Sequence, residues 1–121
     1  MGDRDDKRRH HRPLALLEVK VLGAAGAGIP PGLRLATMDV AVGGMRCASN
    51  LPLEKGTHLR LSLALEGGDL REPTTIVGDV RVLRCSERPG EPEIRRHEIA
   101  MQFVQMSLQD RKRLQSYLNS L

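Results

Sequence analysis

Two short clusters hold side chains whose types and spacing could recognise a ligand. The first is Arg8-Arg9-His10-His11-Arg12, an R-x-x-x-R placed just ahead of the first apolar run. A guanidinium is a planar fork that donates two parallel hydrogen bonds to a phosphate or to guanine O6 and N7. With Arg4 and Lys7, five basic residues crowd the first twelve positions, diluted by Asp3, Asp5 and Asp6. This end reads as an anion-binding arm. The second cluster is Asp39-Val40-Ala41-Val42-Gly43-Gly44. An aspartate there can accept from the N1 and N2 edge of a guanine, and glycine permits close backbone approach. Singly, a basic arm is often merely solvated, and Asp with Gly is ordinary turn chemistry. Together the two clusters say more than either alone.

Other chemistry finds little material. Ser62, His58 and Asp79 could be named as a triad, but nothing in their spacing brings them together and no serine sits in a nucleophile-elbow pattern. An enzyme is not expected. The histidines His10, His11, His58 and His97 lack metal-ligand spacing with the cysteines, so no metal and no cofactor is expected. Phe103 and Tyr117 supply the whole aromatic content of 2%, which starves any surface that stacks bases on rings. Cys47 and Cys85 lie far apart without a C-x-x-C pair and read as reduced strand residues of a cytoplasmic protein.

The elements that must position these residues are short. Residues 14–22 alternate, with Leu17, Val19 and Val21 on one face and Glu18 and Lys20 on the other, the period-two pattern of a half-buried strand. Gly23 to Gly32 reads as a flexible connection. Leu33 to Val40 is β-compatible, and Gly43-Gly44 supplies backbone freedom for a reversal into Met45–Ser49, which predicts a hairpin. After a turn at residues 51–56, Thr57 to Leu65 alternates cleanly: Leu59, Leu61, Leu63 and Leu65 face the core while His58, Arg60 and Ser62 face water. A loop at 67–73, a strand over 75–85 with Val80 and Val82 on one face, a loop at 87–93 and a strand over 96–104 through Ile99, Met101 and Phe103 follow. Then the period changes. Ser107 with Asp110 makes a capping box, and Leu114, Tyr117, Leu118 and Leu121 keep helical spacing. The helix should cover the open mouth of a barrel of about six strands.

A chain of 121 residues is one domain, large enough for an ordinary core without disulfide staples. Hydrophobic residues at 40% and charged residues at 28% place it among soluble globular domains. The formal charge of +4 favours anionic partners. Leu14–Leu17 resembles the start of a secretion signal, but Glu18 and Lys20 interrupt it. No stretch approaches the roughly 20 apolar residues of a membrane span.

With these residues in view, the chain resembles the PilZ domain family, whose ligand site combines an R-x-x-x-R segment before the first strand with a [D/N]-x-S-x-x-G motif on the barrel. Arg8 and Arg12 match the first motif, Arg9 matches an arginine often found beside it, and Asp39 and Gly44 match the ends of the second. The resemblance runs over nearly the whole chain, through the strand ending at Leu22, the Gly56 turn, Gly78-Asp-Val-Arg81, Met101-Gln-Phe103 and the terminal helix with Tyr117-Leu118. It implies a mainly β fold: a six-stranded antiparallel PilZ-type β-barrel at residues 14–121 with a C-terminal α-helix at 107–121, preceded by a flexible basic arm at 1–13.

The resemblance also implies a non-enzymatic receptor for the bacterial second messenger cyclic di-GMP, relaying to an unidentified effector protein in motility, biofilm, exopolysaccharide or secretion control. The expected ligand residues are Arg8, Arg9, Arg12, Asp39, Ala41, Gly43 and Gly44. Nucleic acid and membrane insertion are not expected, and the chain is read as a monomer or weak dimer. One departure stands out: the motif serine is Ala41 here. A lost neutral hydrogen bond is worth roughly 0.5–1.5 kcal/mol, about two- to tenfold in affinity. The alternative is therefore a PilZ-fold adaptor that binds protein without nucleotide. Ala100, where the family often has Gly, is a structural departure. An unrelated small barrel binding nucleic acid through backbone charge would instead lose affinity steeply with salt.

Overall fold

The alternating leucines show how sequence becomes barrel. The strands are β1 (Glu18–Ala25), β2 (Leu35–Ala41), β3 (Gly44–Ser49), β4 (His58–Leu65), β5 (Thr74–Glu87) and β6 (His97–Met106), with a 3-10 turn at Glu93–Arg95 and a terminal helix α1 (Leu108–Asn119). In β4, Leu59, Leu61, Leu63 and Leu65 are all buried while His58 and Arg60 are exposed and Ser62 is half-buried, as the period-two pattern requires. The computed structural model describes residues 18–25, 29–66 and 74–120. The basic arm at 1–13, the start of the expected first strand at 14–17, the 67–73 loop and Leu121 lie outside the described residues.

All strand pairs are antiparallel, and the order β1-β2-β3-β6-β5-β4 closes into a barrel. Closure is narrow between β1 and β2, where the single registered pair is Glu18↔Ala36. Ile76, Val80 and Val82 from β5 and Ile99, Met101 and Phe103 from β6 meet the β4 leucines in one core. Burying each such side chain contributes roughly 1.5–3 kcal/mol.

Three expectations are corrected. Gly23 to Ala25 belong to β1, because their backbone pairs with Arg60, Leu59 and His58 of β4; small residues do not prevent a strand when a neighbour offers a ladder. The strand expected over 75–85 runs on to Glu87, where it pairs with His97. The strand expected from Leu33 begins at Leu35.

The helix follows its expected spacing, with Leu114, Tyr117 and Leu118 buried and joined to the barrel core. Ser107 caps it by accepting from the Asp110 N–H. The Asp110 carboxylate, rather than reaching back to close a capping box, accepts from the Val77 N–H of β5 at 3.1 Å and pairs with Arg113. Tyr117 donates to the Glu66 carbonyl just past β4 at 2.7 Å. The helix is thus fastened where β4 ends and near the start of β5. No helix among the described residues is long and apolar enough to cross a membrane.

Candidate functional site

A bulge in β2 decides where the key carboxylate points. Thr37 faces Cys47 across the β2–β3 ladder, but the register shifts by the next pair, so that Asp39 faces Arg46. Met38 is the extra residue. An extra residue inverts the in–out alternation of everything after it. Thr37 and Val40 are consequently both buried in the barrel, and Asp39 turns to the face that carries Arg46 instead of into the hydrophobic core, although it too is buried, at 8% exposure. The hairpin then turns through Val42 and Gly43, with Ala41 paired to Gly44.

Arg46 covers Asp39. Its Nε–H donates to Asp39 Oδ2 at 2.8 Å and its Nη2 donates to the same oxygen, while Nη1 donates to Glu98 Oε2 at 3.2 Å. Glu98 in turn lies 3.9 Å from Arg88, which pairs with Glu91. The Asp39 hydrogen bond holds the Arg46 guanidinium above its ordinary pKa, outweighing partial desolvation. Behind the pair, burial pushes the Cys47 thiol strongly up, and the Asp39 charge adds to it.

The glycines have unequal duties. A Cβ on Gly44 would lie 2.3 Å from the Met101 carbonyl oxygen, so Gly44 is required by the approach of β6. The hairpin is also tied there by the Phe103 N–H donating to the Gly43 carbonyl at 3.0 Å. Gly43 itself meets nothing within 4 Å. Neither glycine uses a left-handed backbone. The expectation that Gly43-Gly44 serves the turn by backbone freedom is therefore corrected: close approach within the barrel is what demands Gly44.

Asp39, Ala41, Gly43 and Gly44 line one open depression of about 850 Å³, with Arg46, Leu83, Arg84, Ala100 and Gln102 on its remaining walls. Such a volume suits a small-molecule ligand, for which clefts run roughly 300–1,000 Å³. One rung crosses it, Asp39↔Arg46↔Ala100↔Arg84 through β2, β3, β6 and β5. Ala100 keeps the floor low between two arginines, and Arg84 is exposed with no carboxylate partner among the described residues. Arg8, Arg9 and Arg12 lie outside the described residues.

Arg46, Arg84 and Gln102 escaped the reading of the sequence, and register is the reason. A turn centred on Gly43-Gly44 sets Asp39 opposite Ala48; the observed turn, one residue earlier, sets it opposite Arg46. Among the described residues, no cluster of His, Cys, Asp or Glu could hold a metal ion. Cys47 and Cys85 are both free thiols.

A closed six-stranded barrel with a C-terminal helix and a polar cleft on its outer face defines a small β-barrel module. Residues 6–120 match the PilZ domain family, and the chain belongs to it. PilZ domains are non-enzymatic receptor or adaptor domains, and the family is associated with cyclic di-GMP. The fold is similar to that of the Bacillus subtilis inhibitor of motility (MotI/DgrA), with a TM-score of 0.67 at 20% sequence identity. That likeness covers 90% of this chain and 48% of the other, so the chain spans about half the length of its structural neighbour. No curated protein matches the chain.

Proposed function

We propose that the protein is a cyclic di-GMP receptor module whose ligand-bound surface is read by a partner protein. The observation that carries this reading is the shared cleft: Asp39, Ala41, Gly43 and Gly44 line one depression together with two arginines. A cyclic dinucleotide is compact and doubly anionic with guanine edges to read. Asp39 supplies an acceptor for the guanine N1 and N2 donors, and Arg84, with no carboxylate partner among the described residues, supplies a fork for phosphate.

The direction of β1 supports a role for the basic arm. Because β1 runs antiparallel to β2 at Glu18↔Ala36, the chain enters β1 from the side on which Asp39 lies. Six residues before Glu18, Arg12 can reach about 20 Å, whereas Asp39 is three residues and about 10 Å beyond Ala36. Arg8, Arg9 and Arg12 would close over the ligand, the arm at 1–13 ordering as it binds. Ala41 offers no hydroxyl, which weakens binding by the two- to tenfold of one neutral hydrogen bond, about 0.5–1.5 kcal/mol.

A second reading, an adaptor that binds protein without nucleotide, draws on Ala41 and on Arg46, which already occupies Asp39. Calorimetric titration separates the two. The receptor reading expects saturable cyclic di-GMP binding in the nanomolar to low micromolar range, no binding of cyclic di-AMP or GTP, and loss of binding in Arg12→Ala with an unchanged melting temperature. Absence of both heat and thermal shift at about 100 µM cyclic di-GMP leaves the adaptor.

A further inference from the structure

Resting on the receptor reading of this cleft, we infer that Arg46 is a specificity-determining residue of the site: its guanidinium occupies the carboxylate face that a guanine edge needs, so only a ligand able to displace it binds. A guanidinium and the N1–N2 edge of guanine present the same thing to an acceptor, two N–H donors side by side. Both Arg46 donors fall on Asp39 Oδ2, the Nε–H at 2.8 Å. A guanine seated bidentate on Asp39 needs both oxygens, so Oδ2 must first be released.

The hairpin favours this post in the empty protein. It faces Asp39 directly in the β2–β3 register, so the contact forms from the hairpin itself. Yet it can leave when challenged. Its side chain is 44% exposed, and its Nη1 already rests on Glu98 at 3.2 Å, a second carboxylate on β6 that keeps the guanidinium paired through Nη1 when Nε and Nη2 leave Asp39. Displacement therefore strands no charge. A ligand presenting an adenine edge brings no matching pair of donors, leaves Arg46 in place and is refused. The cost of opening this latch lowers apparent affinity by the fraction of molecules in which Asp39 is free.

The test uses the full chain and Arg46→Lys, which keeps the positive charge for phosphate but replaces the fork with a point donor. Both proteins are checked by thermal melting and titrated calorimetrically with cyclic di-GMP and cyclic di-AMP. In parallel, the exchange rate of the Arg46 Nε–H is followed by nitrogen-edited NMR in the unsubstituted protein. Expected are cyclic di-GMP binding about three- to tenfold tighter in Arg46→Lys, weaker discrimination against cyclic di-AMP, and an Arg46 Nε–H that is protected in the free protein and exchanges faster at saturation. Binding by Arg46→Lys alone upholds the latch and overturns the receptor reading, since the native site is then held shut. Binding by both with Arg46→Lys equal or weaker overturns the latch and leaves the receptor standing. Binding by neither overturns both. Should Arg46→Lys fail to fold, an Nε–H still protected in the saturated native protein overturns the latch alone.

Discussion

Among the described residues, two arginine–aspartate pairs bridge neighbouring strands of this barrel, each between antiparallel neighbours in register: Asp39 with Arg46 across β2 and β3, and Asp79 with Arg60 across β5 and β4. Their chemistry is the same and their surroundings are not. The Asp39 side chain is 11% exposed and backed by the buried Cys47, whereas Asp79 is 26% exposed beside an Arg60 that is 61% exposed. A pair in water contributes little, because solvent screens it and two long side chains must be held still. A pair set against the core has lost hydration it must recover from its partner. The first region is therefore tightly coupled to the fold beneath it, and the second is not. On the receptor reading proposed above, the same burial that makes Asp39 dependent on Arg46 would also make it a discriminating acceptor for a ligand.

The sharpest way to break that contrast is through the backbone under each pair. Gly44 lies beside the first, with its Cβ position 2.3 Å from the Met101 carbonyl oxygen; Gly23 pairs with Arg60 beside the second, with nothing within 4 Å. Gly44→Ala must push β3 from β6 and is expected to cost about 3 kcal/mol, the upper end of overpacking effects. Gly23→Ala should stay within about 0.5 kcal/mol. Urea unfolding of the two variants reads both, and equal midpoints would remove the distinction between the regions.

Removing the arginines comes next in size. Arg46→Ala leaves the Asp39 carboxylate with its covering donors gone, at an expected cost of about 2 kcal/mol. Arg60→Ala should leave the urea midpoint unmoved, since both members of the Arg60–Asp79 pair are solvated. The reverse substitution on the first pair, Asp39→Ala, should cost less than Arg46→Ala, because Arg46 retains Glu98. If Arg46→Ala and Arg60→Ala unfold at the same urea concentration, the first pair is as weak as the second.

How much of this was legible beforehand differs between the same two regions. Arg60 lies in the run with the cleanest alternation, Leu59 to Leu65, so its outward direction follows from counting by twos. Asp79 lies in a run whose Val80 and Val82 mark the inner face equally plainly. Asp39 was picked out by type and spacing, but its direction and partner were not visible. Alternation fails through Thr37-Met38-Asp39-Val40 because Met38 is a bulge, and a bulge is settled by the ladder to the next strand, not by local pattern. One residue of error in the turn then exchanges Ala48 for Arg46. Gly23 to Ala25 were mistaken for the same kind of reason: their strand character comes from β4, which supplies the hydrogen bonds, and not from their own preference. Ser107 and the spacing of Leu114, Tyr117 and Leu118 were readable because a helix end and a helix face are local properties.

Cys47 offers the finest probe of how dry the first region is. It follows Arg46 in β3 and points the other way, into the core, where burial first and the Asp39 charge second raise its pKa far above the ordinary thiol value of 9.0. In the unfolded chain the thiol ionises from 9.0 upward, whereas in the folded protein it keeps its proton. The folded state then binds the extra proton, so stability is whole below pH 9 and falls as pH rises. Between pH 9 and 10 the loss should be about 1 kcal/mol. Above pH 10 Tyr117 adds to it in the same direction, because burial raises its phenol above 10.0. In the window from 9 to 10 the thiol is the larger contributor, since its unfolded pKa of 9.0 lies below the 10.0 of Tyr117. Cys47→Ala should flatten the fall in urea-derived stability across that window, whatever its effect on absolute stability. Asp39→Asn should keep most of the fall, since desolvation outweighs the aspartate charge as its cause. An identical slope in the native protein and Cys47→Ala would mean that water reaches the thiol, and that Asp39 is no better insulated than Asp79.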